Sequence, residues 1–298
     1  MTAVVLQELT AEPALEVGCR LGEGPVWDER AQELYFVDIM GERVHGWRPA
    51  ERAHRSFPVG RPVGAAVLRE DGGLVLAAHD AFFLVEADGS GLRPFGAVSI
   101  DAKSVRFNDG KVDPWGRFVA GTMDWEHKNP VASLYMLSGD GSVNTLLEDV
   151  VISNGLAWPA DGRTLYYIDT PRLSLDAFDL DPETGKLSGR RVIAEFTDDA
   201  HPDGMAIDDE GYLWVALWGG SRVERIDPAT GRRLATIHLP TSHVSSVAFG
   251  GPHLDDLFIT TAKEDLPPAL LAAEPHAGDL FVARPGVSGP PPHRFKLA

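Results

Sequence analysis

The 298-residue sequence contains a single cysteine, Cys19. One thiol cannot form an intrachain disulfide, and no Cys-x-x-Cys or Cys/His spacing typical of zinc sites is present, so we predict that Cys19 is structural. The chain lacks an apolar stretch long enough to span a membrane, and Met1 to Thr10 lacks the basic and apolar regions of a secretory leader. We therefore expect a cytoplasmic protein with no membrane partner.

Positive charge is also scarce. The sequence has 27 Lys and Arg against 44 Asp and Glu, which gives a formal net charge of -17. Such a surface repels phosphate backbones and anionic lipids, so we expect no nucleic acid partner, whereas a neutral substrate or a bound cation suits it. Glycine and proline are scattered as turn residues and not pooled in a linker, which favours one domain over residues 1–298. No long apolar stripe demands an obligate protein partner.

A loose pattern recurs along the chain: a polar residue, Gly, several apolar residues, an Asp/Gly turn and an apolar strand. The clearest copies are Asn154 to Trp158 with the turn Asp161-Gly162, and Asp203 to Ile207 with the turn Glu210-Gly211. Weaker copies begin at Gly24, Gly64, Asp109 and Ser245. The chain thus contains six units, spaced roughly 40 to 50 residues apart, which is the spacing of propeller blades.

The segments between the turns indicate the fold class. They are short, rich in β-branched and aromatic residues and bounded by Gly, Asp or Pro, and strands such as Arg222 to Ile226 alternate in polarity. We predict an all-β, six-bladed β-propeller. The segment before Gly18 should supply a strand to the last blade, because an unclosed ring would expose a strand edge. A stacked β-sandwich pair is the alternative, but it does not explain the equal spacing.

Matched positions in different blades converge near one mouth of a propeller channel. Here the converging positions carry mostly carboxylates and amides: Glu23, Asn108 with Asp109, Asn154 and Asp203, beside the small Gly64 and Ser245. Oxygen donors from four blades suit a hard divalent cation. Any one Asn or Asp before Gly is more simply a turn former, but four at the same phase favour a metal site.

Several strings together carry a family resemblance. Leu21 to Trp27, Arg106 to Asp113, Ser153 to Leu156 and His201 to Met205 stand at the starts of four units. With them the chain resembles the senescence marker protein-30, gluconolactonase and luciferin-regenerating enzyme family of metal-dependent propeller lactonases. The resemblance runs nearly end to end and implies a sugar lactone as substrate.

The resemblance also implies roles for particular residues. The positions that match the metal ligands are Glu23, Asn154 and Asp203. The positions that match substrate contacts are Arg106, Asn108 and Glu126. The segment Asp124 to Asn129 is variable in such proteins, so Trp125 or His127 could equally line the pocket.

The expected reaction is hydrolysis of a sugar lactone to its aldonic acid with the help of one divalent ion. Calcium is the first choice, with Zn, Mg, Mn or Fe(II) open, since oxygen ligands alone do not decide among them. The ion polarises the lactone carbonyl and activates water. Asp203 is the best-placed general base, although a metal ligand is less basic, so water activated by the ion itself competes for that role.

Two other functions stay open from the sequence. A related metal site could hydrolyse phosphotriesters, although a pocket with an arginine and amides favours sugars. A non-catalytic metal-binding propeller would be expected to have a degraded ligand set, and here the set is complete. Among other notable residues, Trp27, Trp158 and Trp214 are expected in the blade core, Ser245 and Ser246 in channel packing, and His201 beside the channel without a catalytic role.

Overall fold

The structure is a computed structural model that describes residues 6–197 and 199–298. The prediction for Met1 to Thr10 therefore falls partly on residues 1–5, which lie outside the described residues. The described chain begins with two short strands, β1 (Gln7–Thr10) and β2 (Glu12–Leu15).

Three four-stranded blades follow along the chain. The strands of the first are β3 (Gly22–Asp28), β4 (Glu33–Asp38), β5 (Arg43–Arg48) and β6 (Ala53–Pro58). Those of the second are β7 (Val63–Leu68), β8 (Leu74–Ala78), β9 (Ala81–Val85) and β10 (Arg93–Ala97). Those of the third are β11 (Val105–Val112), β12 (Phe118–Asp124), β13 (Ala132–Leu137) and β14 (Val143–Val150).

The remaining blades repeat the arrangement. The fourth contains β15 (Ser153–Ala157), β16 (Thr164–Asp169), β17 (Ser174–Leu180) and β18 (Leu187–Glu195). The fifth contains β19 (His201–Ile207), β20 (Leu213–Trp218), β21 (Arg222–Ile226) and β22 (Arg233–His238). The sixth contains β23 (Val244–Gly250), β24 (Asp256–Thr261) and β25 (Leu280–Ala283), with β2 at its edge.

Helical structure is confined to short segments. The helix α1 (Pro268–Ala273) precedes β25, and 3-10 turns cover Pro49–Glu51 and Thr170–Arg172. No helix in the described ranges is both long and apolar enough to cross a membrane.

The six sheets close into a ring. Within each blade the main strands run antiparallel in chain order. The first strand of every blade packs against the first strand of the next, and β23 packs against β3. The predicted all-β, six-bladed β-propeller is therefore confirmed, with β3, β7, β11, β15, β19 and β23 as the inner strands around the channel.

The N-terminal strands cover two outer edges. β2 pairs antiparallel with β25, with Glu12 opposite Val282, and so completes the sixth blade. β1 pairs in parallel with β22 of the fifth blade, with Gln7 opposite Ala235, a contact that the repeat does not predict. Both pairings satisfy backbone groups that an exposed strand edge would leave open.

Aromatic side chains fill the space between neighbouring blades. Trp214 is fully buried and meets Phe249 of the sixth blade edge-on, with ring centroids 6.3 Å apart. Trp27 stacks on Phe258 at 5.7 Å, and Trp158 is likewise buried in an apolar cluster. The prediction that these three tryptophans belong to the blade core is confirmed. Each such burial stabilises the fold by roughly 1.5–3 kcal/mol.

A β-bulge interrupts every inner strand near its start. The bulges lie at Glu23/Val26, Val63/Ala65, Phe107/Gly110, Asn154/Leu156, Pro202/Met205 and Val244/Ser246. A bulge bends the strand and redirects side chains. The repeat places the candidate ligands just before the inner strands, whereas the structure places them inside these strands, at the bulges.

Close backbone approach explains the glycine that follows Asn154. A Cβ atom on Gly155 would lie 2.7 Å from the carbonyl oxygen of Asp203. Only glycine lets the fourth and fifth inner strands come this near to one another. The side chains of Asn154 and Asp203 are thereby brought to the same mouth of the channel.

Candidate metal centre and active site

A cavity of about 560 Å³ opens at the mouth of the channel where the inner strands begin. Its polar wall carries five of the six predicted site residues, namely Glu23, Arg106, Asn108, Asn154 and Asp203. The rest of its wall comes mainly from the ends of the second strands and the segments that follow them, including Met40, Trp125, Thr170, Trp218 and Glu264. The structure therefore brings together residues from the first, third, fourth and fifth blades, as the repeat predicts.

Two carboxylates, those of Glu23 and Asp203, are buried at this mouth, and the charge of the first affects the second. Glu23 and Asp203 are 5% and 6% exposed. Burial, followed by the charge of Asp109, raises the pKa of Glu23 to about 8. Burial and then the charges of Glu23 and Asp109 raise the pKa of Asp203 well above its usual value. Without a counter-charge, the site therefore resists full ionisation.

The orientation of the Asn154 amide follows from its hydrogen bonds. The Thr170 hydroxyl donates its only proton to the carbonyl of Pro202 at 2.8 Å, so it must accept from Asn154 Nδ2, also at 2.8 Å. Asn154 Oδ1 then points the other way and accepts from Asn108 Nδ2 at 2.9 Å. One lone pair of this oxygen is left for a ligand.

Asn108 is fixed by the same logic. Its Nδ2 donates to the carbonyl of Ser153 at 2.9 Å as well as to Asn154, and its Oδ1 accepts from Arg106 Nη1 at 2.8 Å. Hydrogen bonds thus run in one direction from Arg106 through both amides to Thr170. This series of hydrogen bonds connects the third blade to the fourth. All four side chains, those of Arg106, Asn108, Asn154 and Thr170, are buried.

Arg106 supplies positive charge to the cavity wall. The guanidinium lies over the ring of Trp125, 5.3 Å from its centroid, and burial lowers its pKa to about 10. The group is therefore still protonated near neutral pH. Its buried Nε has no hydrogen-bond partner in the part of the chain that the structure describes. A ligand oxygen is a natural partner for a guanidinium with unused donors.

The structure does not bring Glu126 into the cavity. Its side chain is 64% exposed, and its carboxylate pairs with Lys128 Nζ at 2.7 Å. Its neighbours Trp125 and His127, which the sequence leaves as alternatives, do line the cavity. The loop turns Trp125 inward because Trp125 Nε1 donates to the carbonyl of Ala102 at 3.2 Å.

A second cavity, of about 110 Å³, lies at the other end of the channel. Asp109 lines it together with Lys111, whose Nζ donates to the carbonyl of Met205 at 2.6 Å. Burial raises the pKa of Asp109 and lowers that of Lys111. Although the repeat phase selects Asp109 with Asn108, its carboxylate lies at this second cavity and not on the wall of the candidate metal site.

His201, Ser245 and Ser246 all lie along the channel. His201 lines the cavity at the start of β19. Ser245 donates to the carbonyl of Gly22 at 2.5 Å, which joins the sixth inner strand to the first, and Ser246 lines the second cavity. Sequence reasoning missed Thr170 and Trp218, because both end or follow second strands, outside the repeated polar position.

Cys19, Asp38 and His45 form a separate cluster whose donor atoms lie within 4.8 Å of one another. The Asp38 carboxylate accepts backbone N–H groups of Arg20, Leu21 and Gly41, each at 2.9 Å. Burial raises the pKa of the Cys19 thiol and lowers that of His45 to about 4, so both are neutral. The carboxylate is thus already used to anchor the loop before Glu23.

The donor set at the mouth does fit a divalent cation. Glu23 and Asp203 offer carboxylate oxygens, and Asn154 offers an amide oxygen whose direction the hydrogen bonds fix. All three are hard donors of the kind that bind Ca, Mg or Mn. A cation would also counter the negative charge of Glu23 and Asp109, which adds to burial in raising the pKa of Asp203.

The fold and site define a class of protein, a six-bladed β-propeller with a carboxylate- and amide-bearing cavity at one channel mouth. Within that class the chain belongs to the SMP-30/Gluconolactonase/LRE-like family, whose model matches residues 21–263. The family resemblance of the sequence is therefore confirmed.

Individual relatives agree with this placement. Regucalcin of Oryctolagus cuniculus is 40% identical over 97% of this chain and 99% of its own length. The structure of a calcium-binding regucalcin from Agrobacterium tumefaciens superposes with a TM-score of 0.92 and 27% identity, covering 98% of this chain and 100% of that one. A gluconolactonase from Xanthomonas campestris gives a TM-score of 0.72 and 25% identity, covering 93% and 89%. Membership of this family is consistent with a lactonase.

Proposed function

We propose that the protein is a metal-dependent lactonase that hydrolyses sugar lactones to aldonic acids. The observation that supports this most directly is the meeting of Glu23, Asn154 and Asp203 with Arg106 and Asn108 in one cavity. An oxygen donor set and a hydroxyl-binding wall then lie within reach of a single small molecule. The family to which the chain belongs includes gluconolactonases.

Glu23, Asn154 and Asp203 would hold the cation, with calcium as the first choice because relatives are called regucalcin and one is described as calcium-binding. When bound, the ion supplies Lewis-acid polarisation of the lactone carbonyl and makes water a stronger acid. The three residues would provide oxygen atoms from three blades, and water or substrate would complete the coordination of the ion.

Asp203 is the residue that we assign to proton transfer. It accepts a proton from the attacking water as the new C–O bond forms at the carbonyl carbon. It then returns this proton to the ring oxygen as the ring C–O bond breaks, which leaves one hydroxy acid. The acid ionises in solvent, so one proton is released for each lactone opened.

Arg106 and Asn108 would bind the polar groups of the substrate. Arg106 stays charged, and its Nε has no hydrogen-bond partner among the described residues, so it can donate to a hydroxyl or to the carbonyl oxygen as negative charge develops there. Asn108 is oriented by Arg106 and Asn154 and presents a fixed dipole. The substrate contact of Glu126 rests on the family resemblance alone, since its carboxylate lies outside the cavity.

The favoured ligand is a neutral polyhydroxylated lactone. A net charge of -17 opposes the approach of anions at long range, which also argues against nucleic acid and anionic membranes as partners. Polar cavity walls that are left unpaired by an apolar ester would cost binding free energy.

The experiment is a proton-release assay on five- and six-membered sugar lactones near neutral pH. Wild-type protein is treated with chelator and then supplied with one divalent cation at a time, beside Asp203→Ala. We expect turnover that requires a cation and is lost in the variant. A rate no greater than spontaneous hydrolysis with every cation would overturn the proposal.

A further inference from the structure

Trp218 stands apart from the tryptophans of the blade core. It is the last residue of β20, it is half-buried, and it lines the same cavity as Asp203. One face of its indole is covered by the imidazole of His243, with ring centroids 4.0 Å apart and planes at 19°. The ring also packs against the apolar cluster that includes Leu21 and Ala262, yet the residue borders the cavity, so part of the indole lies beside the space that a ligand would fill.

His243 holds this indole in place. Its Nδ1 lies 3.0 Å from the carbonyl oxygen of Glu264, and a carbonyl can only accept, so Nδ1 carries the proton. Burial lowers the pKa of His243, so the ring is neutral near physiological pH. The Glu264 side chain is in turn held by Arg20, at 2.6 Å and 3.0 Å. The stack therefore rests on a short network at the cavity mouth.

The second indole in the cavity wall, that of Trp125, already has partners within the protein. Trp125 lies against the Arg106 guanidinium and donates its Nε1 proton to a backbone carbonyl. By contrast, Trp218 lies on the side of the cavity formed by the fifth and sixth blades and forms a bridge with His243 at the start of β23. Arg106 and Asn108, the polar groups proposed to bind the substrate, come from β11 of the third blade.

We propose that Trp218, backed by His243, is a stacking platform for the ring of the substrate. The site would thereby select cyclic polyhydroxylated molecules that present a face of C–H groups, in preference to open-chain polyols with the same hydroxyls. The inference rests on the proposed function in that the natural ligand is taken to be a sugar lactone. Trp218 is a specificity-determining residue, and His243 is a positioning residue.

The physical reason is that a sugar ring is amphipathic. Its hydroxyls project around the rim, while its C–H groups form a weakly positive, apolar face. The face of an indole is negative, so it attracts this surface and removes apolar area from water. An open-chain polyol cannot present such a flat face without losing conformational freedom. Stacking of this kind is worth about a tenfold change in binding.

The first test separates binding from chemistry. For a lactone that the wild type hydrolyses, Trp218→Leu should raise KM about tenfold while kcat stays within about threefold. The KM of Trp218→Phe should lie closer to that of the wild type than to that of Trp218→Leu, because an aromatic ring is kept. His243→Leu should raise KM, but by less than Trp218→Leu does. His243→Phe should have a KM near that of the wild type, because its ring can still stack on Trp218. Trp115→Phe, a change outside the cavity at a ring that contacts Arg117, serves as the matched control.

The second test does not depend on turnover. Binding of methyl β-D-glucopyranoside and of glucitol to the cation-loaded protein is followed by quenching of tryptophan fluorescence. We expect the cyclic ligand to bind more tightly to the wild type and this preference to vanish in Trp218→Leu. An unchanged preference in the variant, or a loss of kcat at constant KM, overturns the platform. If the wild type hydrolyses no lactone but still binds the cyclic ligand more tightly than glucitol, the proposed function is overturned and the platform is not.

Discussion

Asn108 donates a hydrogen bond from Nδ2 to Asn154 Oδ1 at 2.9 Å, and this contact joins the third blade to the fourth at the channel mouth. Because Asn154 Nδ2 is committed to Thr170, the amide cannot turn over without losing both bonds. The contact thus connects a proposed substrate-binding residue directly to a proposed cation ligand. Partners of this kind orient metal ligands and tune their basicity.

Asn108→Ala should therefore weaken cation binding as well as substrate binding. We expect the Kd for calcium to rise about tenfold, since the loss of such partners commonly costs 10–100-fold in metal affinity. Isothermal titration of the chelator-treated protein measures this. The control is Asn144→Ala, at an exposed position on β14. An unchanged Kd for calcium in Asn108→Ala would show that the amide contact has no part in holding the ligand.

Asp203→Asn should abolish most activity while leaving the fold intact. The substitution keeps the size of the side chain and an oxygen donor but removes the base. We expect kcat/KM to fall by about 10³, within the range of general-base contributions. Steady-state proton release measures it, with Asp255→Asn as a control at an exposed carboxylate outside the cavity. Retention of more than about a tenth of wild-type kcat/KM would remove Asp203 from the base role.

The stability of the cation-free protein should fall as the pH rises toward 8. The pKa of Glu23 is raised to about 8 from its usual 4.5, so the native state holds a proton that the unfolded chain releases between these values. Within this window each pH unit costs the native state up to roughly 1.4 kcal/mol from this group. Bound cation should remove the effect, because the carboxylate is then ionised in the native state as well.

Glu23→Gln isolates this contribution from those of other groups. Thermal unfolding in chelator, followed across the same pH range, should show the wild-type Tm falling relative to that of the variant as pH rises. With saturating calcium the wild type should become the more stable protein, because the variant lacks one charged ligand. Parallel Tm curves in chelator would contradict a raised pKa at Glu23.

Asp38→Ala tests whether the Cys19 cluster anchors a loop or binds a cation. The variant leaves the backbone N–H groups of Arg20, Leu21 and Gly41 without their acceptor. We expect the free energy of unfolding to fall by about 3 kcal/mol. The number of cations bound per chain should stay the same, with Asp140→Ala, on an exposed turn, as control. Loss of one bound cation would instead assign a metal to the cluster.

The sequence predicts the ring well because each blade repeats the same turn chemistry and apolar strands. The predicted strand Arg222 to Ile226 coincides with β21. Matched phase also brings Glu23, Asn154 and Asp203 to one cavity. The repeat does not predict the bulges. A bulge is defined by how two strands pair, and no particular residue type in the sequence identifies it.

Other features of the site depend on contacts between distant segments. Thr170 fixes the Asn154 amide, yet it comes from a 3-10 turn after a second strand. Trp218 and His243 meet only because the fifth and sixth blades are neighbours. The strand β1 pairs with β22, more than 200 positions away in the sequence. No local pattern encodes such pairings, since each arises from the closure of the whole ring.

Glu126 is where the resemblance and the geometry differ most, and its substitution distinguishes them. In the structure its exposed carboxylate pairs with Lys128, and exposed pairs of this kind contribute little. Glu126→Gln should therefore change KM and kcat by less than about twofold, as should the control Lys128→Gln. A KM raised about tenfold in Glu126→Gln alone would instead mean that the loop closes over the bound lactone. In that case the carboxylate would reach the substrate hydroxyls only in the complex, and protection of residues 124–129 from hydrogen exchange should rise when lactone binds.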